Sequence, residues 1–106
     1  MLKVQVRAGR MKVSAALRAR VERRVGLSLG RFGERIGEVV VRLSVAGEDT
    51  RCQIDVALRP RKVQIEDRSP EVLGAVTHAA DRVAGSIARL LERERQWDEH
   101  PAPPRR

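Results

Sequence analysis

A chain of 106 residues, 42% of them hydrophobic, has material for one core and one domain. Aromatic residues are 2%, Phe32 and Trp97 with no tyrosine, so that core must be aliphatic, and one cysteine, Cys52, excludes an internal disulfide or a cysteine-rich zinc site. A net charge of +8 points to a polyanionic partner, with nucleic acid ahead of an anionic membrane surface.

Residues 2–7 alternate, with Leu2, Val4 and Val6 on one side and Lys3, Gln5 and Arg7 on the other, which predicts a half-buried strand. Ala8 to Lys12 breaks the pattern and reads as a loop. Ser14 then offers a hydroxyl as N-cap. Leu17, Val21, Val25, Leu29, Phe32 and Ile36 follow at three- and four-residue spacing, one helical stripe with the arginines mostly off it. Gly26 and Gly30 each weaken a helix by about 1 kcal/mol relative to Ala. An end or bend is therefore expected between Gly30 and Gly33, with Phe32 as an anchor.

Residues 38–46 place Val39, Val41, Leu43 and Val45 on one face, and a turn is expected at Glu48-Asp49. Residues 50–58 place Cys52, Ile54, Val56 and Leu58 inward; after a turn at Arg59-Pro60-Arg61, residues 62–67 do the same with Val63 and Ile65. Three strands joined by short turns should be antiparallel. Ser69-Pro70-Glu71 reads as N-cap, first helical proline and first-turn acid of a last helix. Its stripe is Leu73, Val76, Ala80, Val83, Ile87 and Leu90, and it is expected to reach about Gln96. Trp97 is expected to cap the domain edge. The proline-rich, charged end is read as a disordered tail, giving a domain over 1–96 and a tail over 97–106.

The element order is β-α-β-β-β-α. The first helix supplies a crossover, so the first two strands should run parallel. The expectation is an α+β single domain: a four-stranded mixed sheet with two helices on one face and a polar, open opposite face.

Enzyme chemistry lacks its ingredients. His78 falls in the last helix and His100 in the tail, with no metal spacing between them and no acidic cluster to cage a cation. Cys52 lies on an apolar strand face and reads as a core thiol. Gly26, Gly30 and Gly33 do not follow a strand directly, so they do not make a phosphate loop. No cofactor, no metal and no small-molecule substrate is expected. The amino terminus alternates and carries charge, unlike a signal peptide, and no apolar run reaches membrane-spanning length, so a cytoplasmic protein is expected.

The candidate site is a basic surface. Arg82, Arg89 and Arg93, at spacings of seven and four, share one side of the last helix. Arg18 and Arg24 offer a cluster on the first helix, with Arg31 and Arg35 near its end. Lys3, Arg7, Arg42 and Arg51 point outward from the sheet. Guanidinium forks bridge phosphates, and folded RNA is read largely through its shape and backbone. Solvated helix arginines are equally ordinary, and Glu22, Glu34, Glu92 and Glu94 are available to pair with them. The sheet face lacks the aromatics of a base-stacking platform, so phosphate contact is the expectation there.

The stretch LKVQVRAGRMKVSAALRARVERRVGLSLGRF resembles the start of the ribosome hibernation-promoting factor family, which includes ribosome-associated inhibitor A and the sigma-54 modulation proteins. The matching features are Val4 to Val6, Gly9, Val13-Ser14-Ala15-Ala16-Leu17 and Arg31-Phe32. In the second half, IDVALRPRKVQIEDRSPEVLGAVTHAADRVAGSIARL resembles the family's paired strands, acidic turn, Ala-rich helix start and acid–base pair, here Asp81-Arg82. The resemblance covers residues 1 to 95 and the short class of the family. It departs at Ala84, Gly85 and Ser86, where further basic residues are usual, and at Leu73 or Gly74, where an aromatic is common. It implies a domain that sits on the small ribosomal subunit, in the channel of messenger and transfer RNA, and blocks initiation in quiescent cells; off the ribosome a monomer is expected. The alternative is a divergent paralogue, a protein-interaction or regulatory domain without ribosome binding.

Overall fold

The computed structural model describes residues 2–99, with side chains through residue 96. Alternating segments become strands: β1 spans Val4–Ala8, β2 Ile36–Ala46, β3 Asp49–Leu58 and β4 Arg61–Ser69. The segments with helical spacing become α1, Ala15–Leu29, and α2, Val72–Glu99, with a 3-10 segment, Gly30–Arg35, after α1. The sheet order is β1-β2-β3-β4. β1 runs parallel to β2, and the other two pairs are antiparallel. The expected α+β fold with its mixed sheet is thus present.

Val39, Val41 and Leu43 of β2 meet Cys52, Ile54, Val56 and Leu58 of β3 in one buried layer. Val21, Val25 and Leu29 of α1 and Val76, Val83 and Ile87 of α2 close it from the helical side. Each such aliphatic side chain contributes roughly 1.5–3 kcal/mol on burial. α2 also buries Ala75, Ala79, Ala80 and Ala84, whose small side chains let its backbone lie close to the sheet. Arg7, Arg42 and Arg51 face solvent on the far side, with Val40, Gln53 and Asp55 half-buried between them.

Several boundaries differ from expectation, each for a physical reason. Ile36 closes the helical stripe in the sequence, yet it is the first residue of β2, paired with Leu58. The chain leaves the helix at Gly33, whose φ of 52° and ψ of −127° suit glycine alone, and the ladder takes Ile36. Asp49 pairs with Ala46 in the sheet, so the turn is Gly47-Glu48. Val45, expected inward, is 65% exposed near the end of β2.

Ser69 is not the N-cap of α2. It pairs with Thr50 as the last residue of β4, and its hydroxyl accepts the Glu71 amide at 3.4 Å. The Glu71 carbonyl accepts the first helical bond, from the Ala75 amide at 3.0 Å. Gly74 sits where an added Cβ would come 2.6 Å from the Ser69 hydroxyl, so of the two positions where the family resemblance suggested an aromatic, Gly74 is crowded, while Leu73 packs partly buried against the core. At the other end α2 continues through Glu99, so the first residues of the expected tail are helical in backbone. The Trp97 side chain and residues 100–106 lie outside the described residues.

Candidate nucleic-acid interface

α1 begins where expected: the Ser14 hydroxyl accepts the Leu17 amide at 3.1 Å. Its arginines then take different roles. The Arg18 guanidinium donates to the carbonyl of Val6 in β1. Arg24 donates to the Ser28 hydroxyl at 2.6 Å and to the Asp81 carboxylate of α2 at 2.9 Å. With its side chain only 30% exposed, Arg24 is a strut between the two helices. Arg31 stacks over the Phe32 ring, 4.7 Å from its centroid, an arrangement that leaves its edge nitrogens open.

On α2, Arg82, Arg89 and Arg93 share one side, but their surroundings differ. Arg82 donates to Asp67 at 3.3 Å and to the Glu66 carbonyl at 3.1 Å. Arg89 donates to the Ser86 hydroxyl at 3.2 Å and has no carboxylate partner among the described residues. Arg93 is exposed and has no partner among the described residues. The Asp81-Arg82 pair is therefore not an internal pair: each member grips a different neighbouring element. Ala84 is 6% exposed, so a basic residue there would face the core, and Ser86 orients Arg89.

Lys3 and Arg7 lie at the β1 side of the sheet, exposed and without a carboxylate partner among the described residues. Arg7 donates to the Gln5 side chain at 3.1 Å. Arg42 and Arg51 point outward as expected, each with an acid: Arg42 Nε lies 3.3 Å from Asp55 and Arg51 Nε lies 3.6 Å from Glu66. Arg35 pairs with Glu94 at 2.8 Å. The eight candidate residues thus fall into two groups, one on the helical layer and one on the sheet, and two of them, Arg24 and Arg82, are neutralised. Sequence reading missed Arg20 and Arg23, exposed on α1 without an acid, and Arg68, which is outward on a β4 longer than expected. Its signal was the continued alternation of Val63, Ile65 and Asp67.

Two groups have shifted pKa values. Burial would raise the Asp67 carboxyl, but the Arg68 amide, the Arg82 guanidinium and the charge of His78 overcome it and hold the acid below its ordinary value. Burial, assisted by the Asp67 charge, pushes the Cys52 thiol up to about 12, which keeps it protonated and inert. Among the described residues, no group of His, Cys, Asp or Glu is arranged to hold a metal, and no helix is long and apolar enough to cross a membrane.

The sequence model of one family, described as "Sigma 54 modulation protein / S30EA ribosomal protein", matches residues 4–95. No curated protein sequence matches. Among solved structures, the N-terminal domain of Protein Y from Thermus thermophilus superposes with a TM-score of 0.73 at 24% identity, over 85% of this chain and 99% of that one. A ribosomal subunit interface protein from Coxiella burnetii gives a TM-score of 0.76 at 13% identity, over 86% of this chain and 99% of its own. At these identities the likeness is one of fold.

Proposed function

The chain belongs to the sigma 54 modulation protein / S30EA ribosomal protein family, and from that premise we propose that it is a non-enzymatic, cytoplasmic module that binds the small ribosomal subunit. It acts by occupancy. A rigid basic body fills the channel of messenger and transfer RNA, excludes their binding, and so silences translation in quiescence or stress. The observation that carries this reading is the side of α2 where Arg89 and Arg93 stand without carboxylate partners among the described residues. Arg31, Lys3 and Arg7 supply further phosphate contacts in this reading, whereas Arg18, Arg24 and Arg82 hold the scaffold.

Co-sedimentation with small subunits across a salt series tests it. The protein is expected in the ribosomal fractions at low salt and to leave them as salt rises, by about 0.7–0.9 in log–log slope per phosphate neutralised. Absence from those fractions at low salt overturns the proposal. A second reading, protein interaction without the ribosome, is favoured by Leu27, which is 72% exposed on α1 beside Arg20 and Arg23. Under it, Arg89→Glu with Arg93→Glu leaves partner binding intact.

A further inference from the structure

The open face of the sheet carries one arginine on each of its four strands, and the register makes them neighbours. Arg7 of β1 is paired with Arg42 of β2. Arg51 of β3 is paired with Ser44, two residues along β2 from Arg42, and with Arg68 of β4. All four are exposed and alternate with inward-facing residues. With strands about 4.8 Å apart, the row crosses the sheet over roughly 15 Å. Like charges set side by side are unfavourable unless something anionic is brought to them.

The acids nearby orient this row without covering it. Asp55 holds Arg42 through its Nε, and Glu66 holds Arg51 through its Nε, so the terminal nitrogens of both forks remain available. Arg7 is steadied by Gln5, a neutral group, and Arg68 by the Ala46 carbonyl at 3.3 Å. Arg7, Arg42 and Arg51 line one concavity of about 380 Å³, where Gly9 and Ser44 leave the wall low. A shallow basic groove one arginine wide can track the backbone of a single strand. Neither aromatic of the chain lies on the four strands, so bases have no stacking platform, and the interactions on offer are to phosphate.

We propose that the Arg7–Arg42–Arg51–Arg68 row is a phosphodiester track for single-stranded RNA, on the opposite side of the sheet from the α2 surface assigned to the ribosome and sharing only Arg7 with that assignment. It stands without that assignment, because it is read with no ribosome present. The test is fluorescence anisotropy of a labelled short oligouridine with the full chain, against the paired variant Arg42→Gln, Arg51→Gln. A charge-matched control, Arg20→Gln with Arg23→Gln, removes two exposed cations from α1. Binding is expected to weaken tenfold or more in the sheet variant and less than threefold in the control, with the salt slope falling by about 0.7 for each phosphate no longer neutralised. Asp55→Asn with Glu66→Gln is expected to tighten binding at least threefold, an opposite sign that misfolding does not produce. Equal losses in the sheet variant and the control, no binding by the unmodified chain, or tighter binding of a double-stranded RNA of equal length would each overturn it.

Discussion

Asp67 stands on the helix-facing side of β4, where a carboxylate is disfavoured by burial and kept by its donors. The Arg68 amide reaches it at 2.9 Å and Arg82 at 3.3 Å. Its folded pKa lies below its unfolded value near 3.9, so its contribution to stability is fully present above that value. The contribution disappears as pH falls through the lower folded pKa, because the unfolded chain binds the proton first. Urea titrations of Asp67→Asn and the unmodified chain should therefore show a gap at neutral pH that narrows below about pH 4. A gap constant with pH sinks the assignment. Two glycines make a second contrast. Gly33→Ala, at a φ of 52°, should lose about 1–3 kcal/mol, whereas Gly26→Ala, inside α1 with nothing near its added Cβ, should gain up to about 1 kcal/mol. Thermal melts of both variants check the opposed signs.

At the scale of elements, each helix spends one arginine on the strand beside it. β1 and β4 are the edges of the sheet, and exposed edge carbonyls invite pairing with another chain. Arg18 takes the Val6 carbonyl on one edge, and Arg82 takes the Glu66 carbonyl on the other. The helical layer therefore separates structural cations from free ones. Arg24→Ala should lower stability by up to about 1 kcal/mol, since it removes the strut to Asp81. It should leave proposed ribosome binding nearly unchanged. Arg89→Glu with Arg93→Glu should reverse the pattern: an unchanged melt and at least tenfold weaker co-sedimentation. If Arg24→Ala costs more binding than stability, the division is wrong.

This division also marks what was legible in the sequence. Strands were readable because alternation is local: Cys52, Ile54, Val56 and Leu58 are all inward, as their spacing required. Helix ends were less so. Ser69 carries a local capping signal, yet the ladder bond to Thr50 competes for the same stretch and wins. The same competition moved Ile36 from the α1 stripe into β2. For the site, the helical side shared by Arg82, Arg89 and Arg93 was legible from spacing alone. Which arginine is neutralised was not. Arg24 meets Asp81, and Arg35 meets Glu94, across distances in sequence that only the packing of α1 and its 3-10 extension on α2 closes.

For the whole molecule, the excess of +8 acts in two opposite ways. Six ion pairs are present among the described residues, but many cations, including Arg89 and Arg93, face solvent with no acid among those residues. Their mutual repulsion destabilises the folded chain, and salt relieves it as the Debye length falls from about 30 Å at 0.01 M to about 8 Å at 0.15 M. Salt also screens the ion pairs, but exposed pairs are worth little, so the net excess decides the sign. Sodium chloride over this range should raise the melting temperature. A relief of about 0.5 kcal/mol corresponds to roughly 2–4 °C for a domain of this size. Binding to RNA should fall over the same range, because releasing counterions into a saltier solution is worth less. Stability and affinity moving in opposite directions identify the free arginines as a binding surface held at the expense of the fold. A melting temperature that stays flat or falls with salt would mean that the excess charge is already balanced within the chain, leaving no such surface to offer a polyanion.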